Sequence, residues 1–287
     1  MIKVSLFASS IRPHLYEYFF KSLEGTSVEY EVVFAGNSDL DILKNFVHNF
    51  YLDQQENTYH WSYPLLDYYN CKYIKTANIK PAQCYEITRR NCVGEVVIWV
   101  ADDCEFPNDV IGKAYRFYKE KCGYKDIVSI QSRENYGIWQ MCDITHHKFF
   151  SASAGAPKMA PLGMINREYF QELGGIDRRF ISGQWDNELL MRVYKDGGNL
   201  HHFSDAYIEL DHINKHDPKF GISAERPFGQ GYAHDRRVLE GAWGQRGQMK
   251  YSEFPNFTRY DEGFEPYESE TILTKSESFN IERLFSD

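Results

Sequence analysis

Val96 to Val100, VVIWV, is an unbroken apolar run bounded by turn residues, and it limits most narrowly what this chain can fold into. β-branched and aromatic residues without polar alternation fit a strand covered on both faces, as inside a parallel sheet. The run passes through Ala101 into two adjacent carboxylates, Asp102 and Asp103, before Pro107 and Asn108 end it and start the next element. Open α/β sheets hold their ligands beyond the C-terminal ends of their strands. Two acids at that end therefore mark a candidate site.

The flanking sequence supplies the rest of such a sheet. Lys3 to Ala8 predicts a first strand, followed by a polar turn with Ser9, Ser10, Arg12 and Pro13. Leu15, Phe19 and Leu23 recur every fourth residue, which predicts a helix over 14–24. Glu31 to Ala35 predicts a second strand ending at Gly36 and Asn37. Ile42, Leu43, Phe46, Val47 and Phe50 mark a second amphipathic helix, and 51–70, without a clear period, reads as a connection. A third strand is expected over 72–75, helices over 82–90 and 109–121, and a strand over 126–131. Strand and helix alternate up to that point, the pattern of a doubly wound, mostly parallel sheet with helices on both faces. Beyond it the rhythm breaks. A loop is expected over 143–161, a strand over 161–165, a short helix over 168–173, a helix over 186–196 closed by Gly197 and Gly198, and a strand over 205–212.

Of the 287 residues, 43% are hydrophobic and 25% charged, as in an ordinary globular protein. A formal charge of -9 argues against a protein that grips nucleic acid through its phosphates. The six cysteines have no CxxC pair or framework spacing and read as free thiols of a reducing compartment. No apolar run approaches the roughly 20 residues of a membrane span. These features read as a cytoplasmic protein, with peripheral membrane contact left open. No GxxxxGK[ST] loop, GxGxxG fingerprint or GxSxG elbow is present, so P-loop NTPases, dinucleotide dehydrogenases and serine hydrolases lose their usual support.

Three constellations could carry chemistry. Asp102 and Asp103, as acids after a buried strand, suit a Mg²⁺ or Mn²⁺ ion that also grips phosphates, or else they cap the following turn. Side by side on a strand they point to opposite faces, so the metal falls to Asp103 and a ribose or supporting contact to Asp102. Asp186 and Glu188 stand at the mouth of a predicted helix, where acids are also favoured as caps. Being two residues apart they face roughly opposite ways, and one can serve as a general base while the other supports. His212 follows the last predicted strand, either as a metal ligand or as an exposed histidine.

The segments VSLFASSIRP, EVVFAGNSD, GEVVIWVADDCEFP, APLGMINREYFQELGGIDRRF and WDNELLMRVYKDGG, in this order, resemble a family 2 glycosyltransferase of the GT-A fold over roughly residues 3–215. The resemblance implies a metal-dependent, inverting transfer of a sugar from a nucleotide diphosphate, with a UDP-sugar as the expected donor and a glycan or other hydroxyl compound as acceptor. It places the family's strand-end acidic motif on Asp102 and Asp103, with Ala101 at the motif's first position, and implies Mn²⁺ or Mg²⁺ held by Asp103 and His212. It places the catalytic base on Asp186, preceded by Trp185, with Glu188 as the second candidate. Ala8, Ser9, Ser10 and Arg12 would cradle the nucleotide together with Asn37, and Lys80 and Gln83 would lie beneath it. Gly163 and Trp185 would shape the acceptor pocket. The domain is expected over 1–250, with a donor part over about 1–131, an acceptor part over about 132–250 and an irregular tail over 251–287. A sugar-phosphate nucleotidyltransferase shares the strand-end acids but usually shows a glycine-rich stretch where this chain has ASSIRPH. A non-catalytic carbohydrate-binding protein on the same fold would not need Asp102, Asp103, Asp186 and Glu188 together.

Overall fold

The computed structural model describes residues 1–36, 50–53, 58–61, 71–76, 80–135, 137–142, 160–212, 231 and 233–243. Asn37, the helix expected over 42–50 apart from its last residue, most of the 143–161 loop and the 251–287 tail lie outside them. Within them the chain forms one sheet with helices on both faces. In chain order the elements are β1 (Val4–Ser9), α1 (Tyr16–Ser22), β2 (Tyr30–Gly36), β3 (Phe50–Asp53), β4 (Thr58–Trp61), β5 (Cys71–Lys75), α2 (Pro81–Arg90), β6 (Val96–Trp99) and β7 (Cys104–Glu105). There follow α3 (Val110–Lys121), β8 (Ile127–Asn135), β9 (Trp139–Cys142), β10 (Gly163–Asn166), α4 (Arg167–Glu172), α5 (Trp185–Lys195) and β11 (Leu200–Asp211). Residues 233–243 add a further helix, α6.

The sheet order is β4-β3-β5-β2-β1-β6-β10-β8-β11-β7, with β9 paired to β8. The central run β3-β5-β2-β1-β6 is parallel throughout. This is the doubly wound part that the alternation of strands and helices predicts. β10 then inserts antiparallel between β6 and β8, and β11 runs parallel to β8. β4, β7, β9 and α6 lie where the sequence predicts no element, and β3 begins at Phe50, the last residue of an expected helix. In 51–70, which reads as a connection, β3 and β4 pair antiparallel and extend the sheet past β5.

Alternation along β1 explains the two layers. Val4, Leu6 and Ala8 join Phe19 and Phe20 of α1 and Val110, Ile111 and Ala114 of α3 in one buried cluster. Phe7 points the other way, into a second cluster with Ala82 and Ile87 of α2, Phe170 of α4, Leu189 and Leu190 of α5 and Trp243 of α6. Burying apolar side chains on both faces is what makes β6 an unbroken apolar run, with Val96, Val97 and Ile98 all at 0% exposure. No helix among the described residues is long and apolar enough to cross a membrane.

Candidate active site

The site begins where β1 and β6 end. After Ser9 the backbone turns across the end of β2, so closely that a side chain on Gly36 would strike the carbonyl oxygen of Ser10. A glycine is needed at that crossing. The turn then presents three donors to one oxygen: Ser10 Oγ, the Ile11 amide and the Arg12 amide all reach Asp102 Oδ2 at 2.9 Å. The other Asp102 oxygen accepts from Arg12 Nε at 2.7 Å, while Arg12 Nη1 reaches Asp103 Oδ2 at 2.7 Å. Asp102 and Asp103 are both buried. They lie in the turn between β6 and β7, so their side chains are not constrained to opposite faces and one guanidinium bridges the pair. Burial would lower the Arg12 pKa, but the fields of Asp102 and then Asp103 outweigh it and raise it well above its ordinary value. Arg12 is therefore a fixed positive charge in the site, where the sequence suggested only a part of the nucleotide cradle.

Two further contacts bring other elements to this strand end. Tyr85 of α2 donates from its hydroxyl to the Val100 carbonyl at 2.7 Å, and its ring lies 5.0 Å from that of Trp185, the first residue of α5. Burial first, and then the nearby Asp102 charge, hold the Tyr85 phenol far above its ordinary pKa, so it stays protonated as a donor. Asp186 follows Trp185 in the first turn of α5 and is half-buried. The contacts from Val100 through Tyr85 to Trp185 thus bring the start of α5, where Asp186 stands, to this end of the sheet.

At the opposite side, β7 pairs antiparallel with β11, Cys104 opposite Leu210 and Glu105 opposite Glu209. Asp103 immediately precedes Cys104, and Asp211 and His212 immediately follow Leu210. Backbone geometry therefore holds the Cα atoms of Asp103 and Asp211 within about 13 Å. Asp211 accepts from Asn135 at 2.9 Å, and His212 Nε2 lies 3.4 Å from Glu134 Oε2. No cluster of three or more His, Cys, Asp or Glu side chains is gathered around one point among the described residues. Asp103, a buried carboxylate, and His212, a partly exposed imidazole, are donor types that a divalent ion keeping few protein ligands accepts.

Solved structures share this architecture. S. aureus TarS superposes with a TM-score of 0.53 at 16% identity over 73% of this chain and 37% of its own. TarS 1-349 in complex with UDP-GlcNAc gives 0.54 at 16% identity, over 78% of this chain and 61% of that one. GalNAc-T7 with UDP, GalNAc and Mn²⁺ gives 0.51 at 15% identity, over 93% of this chain and 56% of that one. The chain has the GT-A glycosyltransferase fold. It spans well under two thirds of the full TarS chain. No family model and no curated protein sequence matches it.

On this GT-A frame the expected residues separate into those at the strand ends and those inside. Ser10, Arg12, Asp102 and Asp103 are joined directly, Ser9 ends β1 beside them, and Lys80 immediately precedes α2. Ala8 is wholly buried, so only its backbone can border a ligand, and Gln83 is almost equally buried within α2. Trp185 and Gly163 do not form an open acceptor floor. Trp185 is packed among Tyr85 and Trp99, and a side chain on Gly163 would run into the Trp99 indole. Both are core contacts: the glycine lets β10 lie close against β6.

Glu188 is likewise internal. Both of its oxygens accept from Arg192 Nε, at 3.0 and 2.8 Å, and Arg192 also donates to the carbonyls of Leu173 and Gly175. Burial raises the Glu188 pKa, opposed by the Arg192 charge. The i,i+4 spacing of Glu188 and Arg192 was the signal that this acid had a partner on its own helix. Of the two acids, Asp186 is the one left at the mouth of α5.

Proposed function

We propose that the protein is a glycosyltransferase that moves a sugar from a nucleotide diphosphate, with a UDP-sugar as donor, to a hydroxyl acceptor such as a glycan. The observation that carries this reading is the buried Asp102–Asp103 pair clamped by Arg12 at the end of a GT-A central strand, with the start of α5, where Asp186 stands, brought to this end of the sheet through Tyr85 and Trp185. The UDP and UDP-GlcNAc bound to TarS 1-349, and the UDP with Mn²⁺ in GalNAc-T7, support the choice of donor.

Asp103 and His212 are the residues that would hold Mn²⁺ or Mg²⁺, whose charge would offset the negative charge that grows on the departing diphosphate. The chain's own residues do the remainder. Asp102 fixes the Ser10–Arg12 turn through three donors and so shapes the floor on which base and ribose would rest. Arg12 keeps the paired carboxylates from repelling one another and adds positive potential beside the diphosphate. Asp186 takes the proton from the acceptor hydroxyl as that oxygen attacks the anomeric carbon, and attack from the face opposite the leaving group gives inversion. The buried acids and the polar turn belong to the donor part of a domain spanning about 1–250. Residues from about 132 onward carry the acceptor side.

Release of UDP from UDP-GlcNAc and UDP-GalNAc, with water as the acceptor, tests the role of Asp186 without an identified glycan. Asp186→Asn is expected to lower turnover at least a hundredfold while calorimetry shows donor binding unchanged. Undiminished turnover would remove Asp186 as the base. Donor binding without any release, in the wild type as well, would favour a carbohydrate-binding protein on the same fold.

A further inference from the structure

Immediately before α5, the turn Ile181–Gly183 points three successive backbone amides at one buried carboxylate. Ile181 N donates to Asp235 Oδ1, and Ser182 N and Gly183 N donate to Asp235 Oδ2, each at 2.8 Å, with Ser182 Oγ at 3.3 Å. Consecutive amides of this kind form a concave anion site. Here the anion comes from α6, about fifty residues further along the chain. Asp235 has 0% exposure, and Leu239 and Trp243 of the same helix are buried in the cluster that contains Trp185, Leu189 and Met191. Close approach is required on both sides, since a side chain on Gly231 would strike Ser182 Oγ.

The turn held in this way connects two parts of the site. The Ile181 carbonyl accepts from the Ala82 amide at 3.0 Å, in the first turn of α2, beside Lys80. In the other direction the chain continues through Gln184, a non-glycine residue with φ of +63°, into Trp185 and Asp186. A left-handed backbone at such a residue persists only where its surroundings hold it.

We propose that Asp235 is a positioning residue for sugar transfer: by binding the Ile181–Gly183 amides it sets the start of α5 and hence the place of Asp186 relative to the donor. This rests on the reading of Asp186 as the base. Asp235 touches neither donor nor acceptor, and its effect passes through the turn. Misplacing a catalytic group by about 1 Å costs on the order of a hundredfold in rate.

Asp235→Asn tests this, because an amide has one acceptor atom for three backbone donors and turns its own NH₂ toward the rest. Three readouts are taken on the full chain: UDP release from UDP-GlcNAc and UDP-GalNAc, amide hydrogen exchange of residues 181–184, and the same rates in an Asp186→Asn background. The expected result is a ten- to hundredfold fall in kcat with donor KM within twofold, faster exchange at 181–184, and little further loss when Asp186 is already Asn. Unchanged kcat, or the same fold-loss with and without Asp186, would overturn the proposal. If Asp235→Asn does not fold, Asp235→Glu keeps the charge and shifts the turn, and is expected to lower kcat while UDP binding is retained. Full activity in Asp235→Glu, or a failure of that variant to fold as well, makes the contact purely architectural and ends the proposal. Undiminished turnover in Asp186→Asn alone would instead sink the assignment of the base. In that case the exchange result still reports whether Asp235 holds the turn.

Discussion

Replacing Asp102 by asparagine separates what this carboxylate does for the fold from what its neighbour does for the ligand. Asp102 Oδ2 receives Ser10 Oγ and two backbone amides, and Oδ1 receives the guanidinium of Arg12. An asparagine in the same rotamer keeps one acceptor. Its cheaper orientation leaves the oxygen under the three neutral donors and sets the NH₂ against Arg12, donor to donor. Removing one partner of a buried ion pair costs about 3–5 kcal/mol, and because Arg12 retains Asp103 the loss falls near 3 kcal/mol. For a domain of this size about 3 kcal/mol lowers Tm by roughly 6–12 °C. Asp103→Asn, which weakens the contact from Arg12 Nη1, is expected to cost about 1–2 kcal/mol. Thermal melts of the two variants beside Arg12→Met and the Asp102→Asn/Arg12→Met double variant provide the assay. Asp102 and Arg12 should couple, the double variant losing at least about 1 kcal/mol less than the two single losses combined. A Tm for Asp102→Asn within 2 °C of wild type, or strict additivity with Arg12→Met, would refute the clamp.

Other consequences follow from the same contacts. Gly163→Ala places a methyl group into the Trp99 indole and is expected to destabilise by at least about 1–3 kcal/mol, read from urea midpoints, whereas an acceptor-pocket role would leave stability unchanged. Arg192→Met takes the guanidinium from the buried Glu188 carboxylate and should cost about 3–5 kcal/mol, with much of that recovered in Glu188→Gln/Arg192→Met. Asp126 is raised by desolvation, but amides of Gly123 and Asn199 and the His201 side chain outweigh this and hold its pKa below the ordinary 3.8. The stability of wild type over Asp126→Asn should therefore be full well above pH 3.8 and disappear as pH falls through the lower folded value. A difference that stayed constant from pH 7 to pH 2 would contradict it.

How far the fold could be read from the sequence depended on burial. β1, β2 and β6 are covered on both faces, and their apolar runs announce them. α5 announces itself through Leu189, Leu190 and Val193 on its inner side. β3, β4 and β9 are short, and β9 exposes Trp139 and Met141, so no buried period marks it. The positions of the DD pair at a strand end and of Asp186 at a helix start were legible, because strand–turn–helix order carries that information. Arg12 was placed beside the nucleotide, but its grip on both acids depends on a turn that crosses Gly36, which sequence spacing does not reveal. Gly163 and Trp185 show the opposite failure, since a glycine and an aromatic can line a pocket or pack tightly in a core. Asp235 is one of two acids in an amphipathic helix, beside Arg236 and Arg237, and only its meeting with the Ile181–Gly183 amides gives it a role.

The central claim, that the strand-end acids receive the diphosphate of a nucleotide sugar, is tested most directly by calorimetric titration of UDP and UDP-GlcNAc into wild type and Asp103→Ala, each with Mn²⁺ and with a chelator. The account predicts binding to the wild type in Mn²⁺ and at least a tenfold weaker affinity on removing either the ion or the Asp103 carboxylate. Equal affinity in all four combinations, or no binding of either ligand by the folded wild type, would contradict it.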